Sequence, residues 1–174
     1  QISVSKSLSA PSLTIAEHST ITLSNTDAFS SSGTIVHVPS DVNVHGTVKF
    51  RGATIFCKSM NITALGRVSG FKMGYSRGNG HLAGSVGNHV SGGAHAGKGG
   101  AYADAYGYSH YGGGSVTYGT ILRPVHFGSG PGTDYSGQPG GGAVRIVASE
   151  SVTVSGAIDA DGGSTGTEEG GGGA

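Results

Sequence analysis

The feature that most limits what this chain can fold into is a glycine that recurs with the same neighbours. Gly46, Gly66 and Gly156 are preceded by Val42-Asn43-Val44, Ile62-Thr63-Ala64 and Val152-Thr153-Val154, and followed by Val48, Val68 and Ile158. Ile21-Thr22-Leu23 fits one step earlier with Asn25 in the glycine's place, and Asn is the residue that best replaces Gly at a left-handed corner. Ile15, Val36, Phe56 and Ile146 form a second apolar column. Self-similarity of this kind signals a repeat architecture. The step is about 20–21 residues among the first three rungs, and the last rung follows after 90 residues.

Each rung then holds roughly three short strands separated by corners. The triplet before the corner is apolar at its first and third positions, so it buries one face. Rungs stacked at the strand separation of about 4.8 Å make a right-handed parallel β-helix, an all-β fold in which neighbours supply each other's core. A β-sandwich also has short strands, but has no reason to repeat its corner glycine in register. The outward residues Thr22, Asn43, Thr63 and Thr153 form a polar column. Strand propensity and ladder hydrogen bonding account for it. An ice-binding face would need paired threonines in every rung, and only Thr20 and Thr22 approach that pattern.

The period covers residues 1–70, disappears in a Gly/Tyr/His-rich insertion over 71–142, and returns in 143–174 as one further rung with a glycine-rich continuation. All seven tyrosines and five of the eight histidines fall in the insertion. Its glycines lack the strict three-residue spacing of collagen. We expect an ordered excursion in which small residues let backbones approach and tyrosines supply apolar area. Tyr102, Tyr106, Tyr108 and Tyr111 are the candidate contacts for a sugar ring or a partner. Gly97-Lys98 is followed by Gly99 and not by the Ser or Thr that a phosphate loop requires. No histidine pair in the insertion has helical metal-ligand spacing, and no metal or other cofactor is expected.

Ten basic and ten acidic residues leave a net charge of zero, which argues against nucleic acid and anionic membranes as partners. No apolar run is long enough to span a bilayer as a helix. Cys57 stands alone, so no internal disulfide forms, and a packing role is expected for it. The ends, at Gln1 and within the run 170–174, read as those of an excerpt or of a chain freed of its signal peptide. Asp159 and Asp161 would share one side of a strand, the start of a catalytic dyad or a calcium site. No third group joins them, so no catalytic residue is expected. Asn61-Ile62-Thr63 is an N-glycosylation sequon with Asn61 at the start of a strand.

The stretch from Gly140 to Ala148, continued by Val152-Thr153-Val154-Ser155-Gly156-Ala157-Ile158-Asp159-Ala160-Asp161-Gly162-Gly163, resembles the repeat unit of large secreted glycine-rich β-solenoid proteins. Those include proteins of flagellar hairs and cell walls. Tyr118-Gly119 and Gly128-Ser129-Gly130 are similar to the unit's spacer, and the likeness covers roughly residues 53–174. The resemblance implies a repeat-built extracellular assembly and no catalytic residues. The expected role is a non-catalytic building block of a filament, hair, wall or matrix, partnered by other copies or neighbouring segments. A carbohydrate-binding or adhesive module using the tyrosines, and a polysaccharide-active β-helix enzyme, are the alternatives.

Overall fold

The computed structural model describes residues 1–24, 33–76, 102–103, 109–110, 126–130 and 138–163. The described residues are rich in strands and contain no helix. Eight strands precede the insertion: β1 (Ile2–Val4), β2 (Ser7–Ser9), β3 (Leu13–Ile15), β4 (Thr20–Leu23), β5 (Thr34–Val44), β6 (Thr47–Phe50), β7 (Gly52–Ile62) and β8 (Arg67–Ser69). The insertion contributes the two-residue strands β9 (Tyr102–Ala103) and β10 (Ser109–His110), which pair antiparallel. After it come β11 (Ala143–Val154) and β12 (Ala157–Asp159).

The chain divides into two units, Gln1–Gly70 with Val144–Asp159, and Phe71–Ala143 with Ala160–Ala174. In the first, the strands belong to two five-stranded sheets. One has the order β1-β4-β6-β8-β12 and is parallel throughout. The other has the order β11-β7-β5-β2, with β3 also on β5, and β2, β3 and β7 all run parallel to β5. Parallel neighbours made by successive segments place equivalent residues side by side. Ile2, Ile21, Val48, Val68 and Ile158 form one column, at steps of 19, 27, 20 and 90 residues. In the second sheet the columns are Leu8-Val36-Ile55, Leu13-Val42-Met60 and Ile15-Val44-Ile62.

Alternation does the sorting of side chains. Along β5, Val36, Val38, Val42 and Val44 are buried, and along β7 so are Ile55, Cys57, Met60 and Ile62. In the other sheet Ile21, Leu23, Val48, Phe50 and Val68 are buried. The register of β5 on β7 shifts between Val38 and Asp41, a bulge that carries the alternation past Pro39.

The corners correct part of the register expected from sequence. Gly46, Gly66 and Gly156 do follow one another: Arg67 N–H donates to the Gly46 carbonyl and Ala157 N–H to that of Gly66. The first member of this column is Ser19, whose carbonyl accepts from Thr47 N–H, whereas Asn25 lies outside the described residues. The triplet Ile21-Thr22-Leu23 therefore belongs after the corner, paired with Val48-Lys49-Phe50, and Leu13-Thr14-Ile15 is the triplet before it. The partners of Val42-Asn43-Val44 on β7 are Met60-Asn61-Ile62, two residues earlier than expected. The cause is corner length: only His45 separates Val44 from Gly46, while Thr63-Ala64-Leu65 separates Ile62 from Gly66.

The second expected apolar column breaks at two members: Ile15 stands beside Val44 and not Val36, whose neighbour on that side is Leu8, and Phe56 is displaced as well. It pairs with His37 on the outward face and is half-buried, while Ile55 takes the inward place beside Val36. The corner before β4 has no glycine, and its left-handed residue is His18, at φ 60°. Gly66 and Gly156 are required for a different reason, close approach. A Cβ on Gly66 would run into the Val44 carbonyl, and one on Gly156 into the carbonyls of Gly66 and Thr63.

Candidate functional site

The outward faces of the two sheets carry the side chains available for chemistry. On the sheet that ends in β12, alternation points Arg67, Ser69 and Asp159 away from the buried Val68 column. Asp159 lies directly beside Ser69, and its carboxylate accepts from Ser69 Oγ at 2.8 Å and from Arg67 Nε at 2.7 Å. Its own carbonyl accepts Gly70 N–H. Both carboxylate oxygens are thus committed to strand β8. The expected pairing of Asp159 with Asp161 on one strand face does not occur, because β12 ends at Asp159. Asp161 lies past it, where its carbonyl accepts Lys72 N–H. The arrangement joins β12 to β8, with Ser69 and Asp159 ninety positions apart in the chain.

On the other sheet the outward neighbours of the Ile15-Val44-Ile62 column are Thr14, Asn43 and Asn61. The first strand past the insertion continues this ladder. His45 N–H donates to the Ile15 carbonyl where Ile15 pairs with Val44, and Thr63 N–H donates to Val44 where Val44 pairs with Ile62. Ser155 N–H donates to Ile62 in the same way, which sets Val154 beside Ile62 and Thr153 beside Asn61. The polar column is therefore Thr14-Asn43-Asn61-Thr153. It replaces the expected Thr22-Asn43-Thr63-Thr153, since Thr22 belongs to the other sheet, opposite Lys49.

Cys57 is buried beside Val38, and burial, followed by the charge of Asp41, pushes its thiol pKa up. A thiol held protonated in this way is a packing group. Lys58 and Glu150 make an exposed ion pair at 3.4 Å. Among the described residues no three His, Cys, Asp or Glu side chains gather as metal ligands.

In the second unit the described segments are laced together by backbone. Gly74 N–H donates to Gly140, Gly140 N–H to Tyr75, Tyr75 N–H to Gly128, and Gly128 N–H to Gly141. Three stretches of chain, at 74–75, 128 and 140–141, are each bonded to the other two. The approach is so close that a Cβ on Gly140 would enter the Gly128 carbonyl. Beside this lacing Tyr75, Phe127 and Ala143 form a small buried cluster, with the two rings 5.4 Å apart at 55°. Of the four tyrosines singled out for contacts, Tyr106, Tyr108 and Tyr111 lie outside the described residues, and Tyr102 is described only as part of β9.

The class these observations define is an all-β protein built on parallel sheets. No protein-family profile, curated protein or solved structure matches this chain. Among the described residues no helix is long and apolar enough to cross a membrane, which leaves strand-built membrane spans untouched.

Proposed function

We propose that this chain is a non-catalytic structural segment of an extracellular repeat protein, a building block of a filament, hair, wall or matrix. The observation that carries the reading is the ladder Ile2-Ile21-Val48-Val68-Ile158. Its inner members Ile21, Val48 and Val68 are buried, while its outermost members Ile2 and Ile158 are 66% and 41% exposed. In the other sheet Val152 and Val154, on the last strand, are 45% and 48% exposed, although Ile62 in the preceding strand is fully buried. Such columns leave apolar surface at both ends on which further rungs could stack, as in a quasi-one-dimensional array.

On this reading the two parallel sheets are faces of one β-solenoid, right-handed as crossovers between parallel strands overwhelmingly are. Asp159, the acid best placed for chemistry, serves as a clamp that returns the chain to the stack after the insertion. The chain's partners are further copies or neighbouring segments of the same assembly.

Fibre diffraction from the aligned native assembly tests this. A reflection near 4.8 Å along the long axis is expected if rungs stack along the filament. A globular particle without that reflection, or one that turns over a polysaccharide, would overturn the proposal.

A further inference from the structure

The outward polar ladder of the β5–β7 sheet has one position with a chemistry that stacking does not use. Asn61 is exposed, between buried Met60 and buried Ile62, so its side chain projects from the sheet. Its cross-strand neighbours are Asn43 and, through the Ser155–Ile62 bond, Thr153. Asn61 stands near the end of β7 and not, as expected, at the start of a strand: Ser59 precedes it there by two residues, and Thr63 lies just past the last residue, Ile62. Asn43, Thr153, Ser59 and Thr63 are all short and polar, which favours a large hydrophilic substituent at Asn61. Asn25, Asn43, Asn79 and Asn88 all lack a hydroxyl residue two positions on; Asn61 has Thr63 there.

We infer that Asn61 carries an N-linked oligosaccharide, added before β7 docks on β5. The inference rests on the extracellular reading, because the donor is found in a secretory compartment. The donor is a lipid-diphosphate-linked oligosaccharide presented by a membrane transferase. Asn61 Nδ2 attacks C1 of the first sugar, the C1–O bond to the diphosphate breaks, the amide nitrogen loses one proton, and the lipid diphosphate leaves.

The timing follows from what the fold does with the sequon. Thr63 Oγ1 donates to the Val44 carbonyl at 3.2 Å and Thr63 N–H donates to the same oxygen at 3.0 Å. The Ile62 carbonyl accepts Ser155 N–H, and the Ile62 side chain is fully buried. A transferase that must grip the hydroxyl and bend the backbone of residues 61–63 cannot do so once these bonds form. The strand that closes over this edge, β11, begins only at Ala143, so the growing chain offers the sequon open while the insertion is still being made. Once attached, the glycan covers the outer face of β5, β7 and β11 and keeps it hydrated.

The test expresses the full chain behind a cleavable secretion signal in an N-glycosylating eukaryotic host. Intact masses of the secreted and cell-retained chain are compared before and after peptide-N-glycosidase. The wild type is expected to carry one oligosaccharide that the glycosidase removes. Asn61→Gln and Thr63→Ala are expected to lose it, and Thr63→Ser to retain it. Signal-cleaved wild type at bare polypeptide mass, or a glycan persisting in Asn61→Gln, overturns the site and leaves the structural role standing. For the timing, unglycosylated chain is offered to purified transferase and lipid-linked donor, folded or as the peptide 55–67. Modification of the peptide alone is expected; equal modification of the folded chain overturns the order of events.

Discussion

The two units of this molecule reach order by opposite means. In the strand-built unit, β-branched and aromatic side chains are buried from alternate positions, and backbone bonds follow from their stacking. In the glycine-rich unit the described backbone groups bond where side chains would obstruct, and the buried side chains among the described residues are Tyr75, Phe127, Ser129 and Ala143. Apolar area stabilises the first at about 25 cal/mol per Å² removed from water. The second depends on satisfied amides, each contributing about 1 kcal/mol net, and on glycines that lose more conformational freedom than any other residue. The first should unfold cooperatively and the second should yield locally.

Substitutions set that contrast at risk, beginning with the largest expected effect. Phe50→Ala removes a fully buried ring and should cost about 3–5 kcal/mol, lowering the denaturant midpoint of the whole strand unit. Ile62→Ala should cost about 2–5 kcal/mol by the same measurement, whereas Ile158→Ala, already 41% exposed, should cost under about 1.5 kcal/mol. Equal costs for the two isoleucines would break the claim that the stack is open at its last rung. Gly140→Ala should abolish protection of the Tyr75 and Gly128 amides in hydrogen exchange while Val44 and Ile62 keep theirs. Uniform loss across both units would remove the distinction between them.

Two smaller effects sharpen the account. Asp159→Asn retains the shape but loses the charge that faces Arg67, which is half-exposed, so about 1 kcal/mol is expected, seen first as faster exchange at Gly70. For Cys57 the folded thiol titrates above the unfolded one, so the folded chain holds more protons in that window. Its contribution is full below the ordinary thiol value of about 8.5 and is lost as pH rises through the folded pKa. Cys57→Ala should flatten this part of the stability–pH curve.

Much of this fold was legible in the residues. The column Val48-Val68-Ile158 follows from the glycine corner, because the strand starts at that corner in every rung. The strand before it was misjudged by two residues, since the corners differ in length and a two-residue slip leaves every side chain on its proper face. Hydrophobic pattern cannot detect such a slip. At Phe56 a one-residue slip does flip a face, and the hydrophobic pattern tolerates it because an aromatic residue suits either side. His18 hides a corner because the usual marker of left-handed backbone is absent there. The Val48-Val68-Ile158 column also sets Asp159 beside Ser69; what needed coordinates was that Arg67, two residues back along β8, joins Ser69 in bonding the one carboxylate. The close lacing of Gly74, Gly128 and Gly140 is equally silent in sequence, since glycine carries no side-chain pattern to read.

The account stands on residues from distant parts of the chain occupying adjacent places in one ladder. Methyl–methyl NOE spectroscopy on a chain labelled at Ile and Val reads this directly. Cross-peaks are expected from Val68 to both Val48 and Ile158, and from Val44 to both Ile15 and Ile62. An Ile158 methyl with no contact to Val68, or with its contacts on another strand, would contradict the ladder and everything built on it.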